Sequence, residues 1–202
     1  MHHVILAILF PFFVSSQDAT RVFLKMWHLY DLLNTTNKIW ILSTSQPALY
    51  ENGEVTCINY RTKNLTTRSV TLIYQVVWKE EVHRGIMVDA LLLDYRYPSL
   101  RMRDWNGLNV RKELRHYSMY VHCGIFYVYL EDDRNAARWC EVHVRGPELR
   151  AAYNRSWHST YTACDAKFYE LCEKKAQIML ASRNCPNLNF NNNQPTYWIT
   201  YR

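Results

Sequence analysis

Apolar and polar positions alternate along most of this chain, and a period of two is the mark of β-strands with two unlike faces. The clearest case sets Val70, Leu72, Tyr74, Val76 and Trp78 against Thr71, Ile73, Gln75, Val77 and Lys79, a strand with one apolar and one mixed face. Shorter β-patterned runs cover Lys38 to Thr44, Val55 to Arg61, Ile86 to Tyr95, Leu114 to His122, Ile125 to Leu130 and Arg138 to Arg145, with broken pieces near Pro98. Glu80 to His83 predicts a turn, and Asn106-Gly107 a hairpin. Ahead of the strands, Phe23, Met26, Trp27, Tyr30 and Leu33 recur at threes and fours. That spacing predicts an amphipathic helix over Ala19 to Leu33, ended by Asn34-Thr35-Thr36-Asn37. After Gly146-Pro147 the period changes, and Thr162 to Lys175 has helical composition. A short N-terminal helix, about eight meandering strands and a flanking C-terminal helix predict a mainly β fold, an eight-stranded up-and-down antiparallel barrel. This class encloses a single small ligand.

A chain of 202 residues fits one domain. Fifteen tyrosines, seven tryptophans and seven phenylalanines against five glycines suit pleated, half-buried surfaces. Residues 1–16 read as a signal peptide: Val4 to Val14 is apolar but short of the ~20 residues that span a bilayer, and Val14 and Ser16 suit a cleavage site. The expected mature domain is 17–185, followed by an Asn-rich tail, 186–202. Six cysteines and three glycosylation sequons, at Asn34, Asn64 and Asn154, agree with a secreted, extracellular protein. Six cysteines allow 15 pairings. Cys164 and Cys172, if both helical, lie about 12 Å apart, beyond the ~7 Å reach of a disulfide, so each must bond to another element. The absence of a Cys-x-x-Cys argues against zinc.

The net charge of +6 favours an anionic partner without selecting a lipid carboxylate, a glycosaminoglycan or a nucleic acid. Export argues against nucleic acid. The chain contains no Gly-x-Ser-x-Gly elbow, phosphate-binding glycine loop or His-Glu-x-x-His, so the expectation is a binding protein that is not an enzyme and needs no cofactor.

Three features resemble the salivary lipocalins of ticks, the family that includes histamine-binding proteins. They are the passage Trp27-His28-Leu29-Tyr30-Asp31-Leu32-Leu33-Asn34 leading to Lys38-Ile39-Trp40, the early Cys57, and the order Cys123, Cys140-Glu141-Val142-His143, Cys164, Cys172, Cys185. The resemblance implies disulfides Cys57 to Cys185, Cys123 to Cys164 and Cys140 to Cys172. It also implies a barrel that sequesters a small host mediator, a biogenic amine such as histamine or serotonin, or a lipid such as a leukotriene or fatty acid. The chain departs from the amine-binding pattern at Gly124, where an Asp is usual, at His143, where an aromatic is usual, and at Ser45 and Ala48, where ungapped reading back from Cys57 meets a Tyr and an Asp in amine binders.

Trp139, Glu141 and His143 share one face of their strand, and the resemblance turns that face to the lumen. These three are the candidate ligand residues, because a buried ammonium needs carboxylates and aromatic faces. Asp89, Asp94 and Asp104 are candidate second acids. The structural alternative is that Glu141 and His143 hydrogen-bond to each other or to a tyrosine. For a lipid carboxylate, inward members of Arg96, Arg101, Arg103, Arg111, Lys112 and Arg115, beside His116 or His122, would form a clamp. A scaffold presenting its outer face to a host protein is the other functional class, and the expected state is a monomer without membrane attachment.

Overall fold

The computed structural model describes residues 23–133, 135–155, 162–173, 175–182, 184 and 185. The expected signal peptide and the Asn-rich tail lie outside the described residues. Helix α1 (Met26–Leu33) leads into β1 (Ile39–Thr44), β2 (Leu49–Tyr50), β3 (Gly53–Lys63), β4 (Ser69–Trp78), β5 (Glu81–Asp94), β6 (Pro98–Arg103), β7 (Asn109–Ser118), β8 (Cys123–Leu130) and β9 (Trp139–Arg145). Helices α2 (Gly146–Arg155) and α3 (Thr162–Leu171) and the short β10 (Ile178–Met179) follow. Strands β3 to β9 pair in sequence order, each antiparallel to the next. Strand β1 pairs with β9 and, through Ile39 to Tyr60 and Trp40 to Asn59, with β3, which closes an eight-stranded barrel. The two-residue strands β2 and β10 extend it at the rim.

Several boundaries move for identifiable reasons. Of the helix expected over Ala19 to Leu33, residues 19–22 lie outside the described set, and α1 begins at Met26 because Lys25 is extended and the His28 ring accepts its backbone N–H, capping the first turn; Phe23 is 80% exposed. The turn expected over Glu80 to His83 is shorter. Lys79 and Glu80 both take positive φ, the geometry of a two-residue hairpin, so β5 starts at Glu81. Pro98 opens β6, where a missing N–H is tolerated. Beyond the Asn106-Gly107 turn, β7 starts at Asn109 and ends at Ser118, earlier than the expected Leu114 to His122. Helix α2 was not expected, since Gly146-Pro147 reads as a break; proline in a first helical turn instead fixes a suitable φ. Helix α3 ends at Leu171, so Cys172 lies in the turn after it.

Two apolar layers result. Inside the barrel, Leu29, Leu32 and Leu33 of α1 plug one end against Leu114, Phe126 and Tyr60. Outside it, Trp40, Val142 and Val144 pack with Leu149 and Phe168 of the helices. Disulfides Cys57–Cys185, Cys123–Cys164 and Cys140–Cys172 tie this outer layer to the wall, the same pairs that the resemblance implies. The Tyr127 hydroxyl adds a hydrogen bond to the Leu171 carbonyl.

At the plugged end the Arg145 guanidinium donates to the carbonyls of Asp31 and Leu32, and the Tyr117 hydroxyl donates to the Asp31 carboxylate. At Gly124 the Leu32 side chain of α1 packs directly on the wall. A Cβ there would stand 2.9 Å from Leu32 Cδ2 and 3.0 Å from Leu114 Cδ1, so any side chain at the site that carries Asp in the amine-binding pattern would have to displace the tips of two buried leucines. Gly124→Ala is expected to destabilise the fold by about 1–3 kcal/mol through overpacking, read as a lower denaturation midpoint with an unchanged slope.

Candidate functional site

Strand alternation places the candidate site. On β9, Trp139, Glu141 and His143 are all buried, and Trp139 belongs to the inner layer. On β7, two strands away, Val110, Lys112 and Leu114 alternate inward, which buries the Lys112 ammonium completely. Asp104 sits at the head of the β6–β7 hairpin, where its Oδ1 accepts the Trp105 N–H at 2.8 Å and its carboxylate is held at the barrel mouth, 6% exposed.

These groups form one hydrogen-bonded chain. Lys112 Nζ lies 2.8 Å from Asp104 Oδ2 and 2.9 Å from Glu141 Oε2. Glu141 Oε2 also accepts from His143 Nε2 at 2.9 Å, and Oε1 accepts from the Trp139 indole N–H at 3.1 Å. His143 Nδ1 lies 2.9 Å from the Tyr60 hydroxyl. Since an ionised carboxylate only accepts, Nε2 carries the imidazole proton and the neutral Nδ1 accepts from Tyr60. The structural alternative for Glu141 and His143, bonding to each other and to a tyrosine, is therefore present in full.

Burial alone would raise the Glu141 pKa, but the Lys112 charge and the His143 hydrogen bond hold it well below the usual carboxylate range. Burial would lower the Lys112 pKa, and the two carboxylates more than reverse this. For Tyr60 and Tyr74, burial and the same carboxylates push the pKa up, so both stay protonated. Burial outweighs Glu141 for His143, whose pKa is lowered and which is neutral at pH 7.

That last shift makes a prediction. A group whose folded pKa lies below its unfolded value of about 6.5 adds stability above that value and loses it as pH falls toward the folded pKa. The unfolding free energy should decline as pH drops below about 6.5, and His143→Gln should flatten part of the decline in melts across pH. His116, whose pKa is lowered by burial and then by Lys167, contributes with the same sign.

Beside this chain lies a cavity of about 190 Å³ lined by Asp104, Glu141, Trp105, Trp139, Ile41 and Ile58, among others. It is smaller than the ~300–1,000 Å³ of drug-sized sites, so only a small molecule would fit it as it stands. The other acids face away: Asp89 is exposed and accepts from Thr71 Oγ1, and Asp94 is exposed. Of the six basic residues between Arg96 and Arg115, Lys112 alone is buried within the lumen, and both its carboxylate partners are its own chain's. Arg96, Arg101 and Arg103 are exposed; Arg111 pairs with Glu113 and Glu131 over the Tyr129 ring, and Arg115 lies on the Tyr97 and Tyr127 rings. The inward arginine clamp does not form. Among the described residues no group of three or more His, Cys, Asp or Glu is placed to hold a metal ion.

No family model and no curated protein sequence matches the chain. Solved structures do match in fold. AM182 in its serotonin complex is 15% identical with a TM-score of 0.55, over 80% of this chain and 94% of that one. Japanin from Rhipicephalus appendiculatus, bound to cholesterol, is 19% identical with a TM-score of 0.50, over 75% and 97% of the two chains. The siderocalin Ex-FABP is 9% identical with a TM-score of 0.50, over 75% and 95%. The closed antiparallel barrel with its short helices is a lipocalin-like fold.

Proposed function

We propose that this protein is a secreted lipocalin, of the kind found in tick saliva, that binds and sequesters a small host amine carrying one positive charge, such as serotonin or histamine. The observation that carries the reading is the charge balance around the cavity. Among the described residues two buried carboxylates, Asp104 and Glu141, face a single ammonium, Lys112, and a neutral imidazole, so one negative charge is left over beside two indole rings. A monovalent amine with an aromatic ring would balance that charge and stack on Trp105 or Trp139. The partial amine signature around Glu141 and the shared fold of the AM182 serotonin complex support the same reading.

A fatty acid or leukotriene would bring its carboxylate toward these acids with no inward arginine among the described residues to receive it. Calorimetric titration of the refolded protein with histamine, serotonin, a leukotriene and a fatty acid tests the proposal. Heat with an amine supports it, and silence with all four sinks it. Export and glycosylation belong to the same reading. Asn34 and Asn64 are exposed, as an occupied sequon requires, and the side chain of Asn154 lies outside the described set. Secretion with glycans on these asparagines, seen as a mass loss on deglycosylation, is the expected result.

A further inference from the structure

A second feature lies on the outer face of the barrel, away from the lumen. Lys38, just ahead of β1, donates from Nζ to Gln75 Oε1 at 3.0 Å. Because an ammonium only donates, this bond fixes the amide's orientation and leaves Gln75 Nε2 as the free end. Gln75 is only 8% exposed, and its Nε2 is buried without a hydrogen-bond partner. Arg84 stands directly across from Gln75 on β5. Arg61, on β3, occupies the same outer face one pair further along, since it faces Ile73 while Asn59 faces Gln75.

Lys38 thus touches the amide, Arg61 and Arg84 occupy neighbouring positions on the same face close enough for their charges to act on Lys38, and none of the three has an ion-pair partner among the described residues. Outside the described set, Asp18 is the only acidic side chain. The cluster carries a cost. Burial and then the charges of Arg61 and Arg84 lower the Lys38 pKa. Like charges gathered on one face, beside a buried donor without a protein acceptor, describe a site complementary to an anion.

We infer that Lys38, Arg61, Arg84 and the Gln75 amide bind a tetrahedral oxyanion, a sulfate or phosphate group, on the outer wall. Guanidinium and ammonium groups supply the charge-assisted donors, and the buried amide N–H adds a directional one. The site is independent of the lumen, so it can be loaded with or without an amine.

Nitrogen-edited NMR of the full chain tests this at constant ionic strength. Millimolar inorganic sulfate or phosphate should shift the Gln75 side-chain amide resonances saturably, while chloride should not. Arg61→Gln with Arg84→Gln, both at exposed positions, should weaken the binding about tenfold or more per guanidinium, because each removes a charged hydrogen bond. Glu141→Gln should leave it unchanged. General salt stabilisation by sulfate would not saturate and would not depend on these arginines. A sulfated disaccharide binding more tightly than inorganic sulfate identifies a glycan as the source, and equal affinity identifies the free ion. No saturable shift, or one unaffected by the double substitution, would overturn the inference.

Discussion

Lys112→Ala is expected to destabilise the protein by about 3–5 kcal/mol, the range found when one partner of a buried ion pair is removed. Among the described residues Lys112 is the only cation within hydrogen-bonding distance of either buried carboxylate, at 2.8 Å from Asp104 and 2.9 Å from Glu141, the His143 ring beside Glu141 being neutral. Without it both acids remain in the lumen uncompensated, so one must take up a proton or the mouth must open to water. The effect should appear as a lower denaturant midpoint. The deficit should also shrink as pH falls, because without Lys112 the folded state takes up a proton on these acids more readily and protonation removes the uncompensated charge. Lys112→Met keeps most of the volume and should cost as much. A loss below 1 kcal/mol in both variants would mean that the ammonium is not the keystone of this network.

Glu141→Gln is expected to weaken amine binding by about 2–4 kcal/mol, roughly 30-fold to 1,000-fold. The substitution is nearly isosteric, and Asp104 is left to balance Lys112, so the cavity becomes neutral and loses its reason to hold a cation. Calorimetry with serotonin checks the affinity, while a thermal melt separates it from a folding defect. Unchanged affinity in a folded Glu141→Gln protein would remove Glu141 from the pocket.

Much of this arrangement is legible in residue periodicity, and the parts that are not have local causes. Alternation groups Trp139, Glu141 and His143 on one face of β9 and the family resemblance turns that face inward, since both faces of the strand are buried, while the barrel follows from the strand count. Lys112 carried a usable signal, since Val110, Lys112 and Leu114 alternate with charged neighbours and mark an apolar face with one lysine in it. It was obscured because the strand was expected to begin only at Leu114. Asp104 is different: it ends a strand at a hairpin, and whether such a side chain turns in or out depends on strand pairing that local pattern does not encode. The same holds for Gln75 and Arg84, which meet only because β4 and β5 pair in one register. Gly124 shows a departure from a motif that matches the packing, since the Leu32 side chain fills the space a larger residue would take.

The central claim concerns the sign of the charge that the lumen accepts, and ligands with one ring system and different charges test it most directly. Titration calorimetry at pH 7 would compare tryptamine, a cation, with N-acetyltryptamine, which is neutral, and indole-3-acetate, an anion. The charge balance of Asp104, Glu141 and Lys112 predicts binding of tryptamine, at least tenfold weaker binding of the neutral analogue, and none of the anion. Binding of indole-3-acetate as tight as or tighter than that of tryptamine would contradict it.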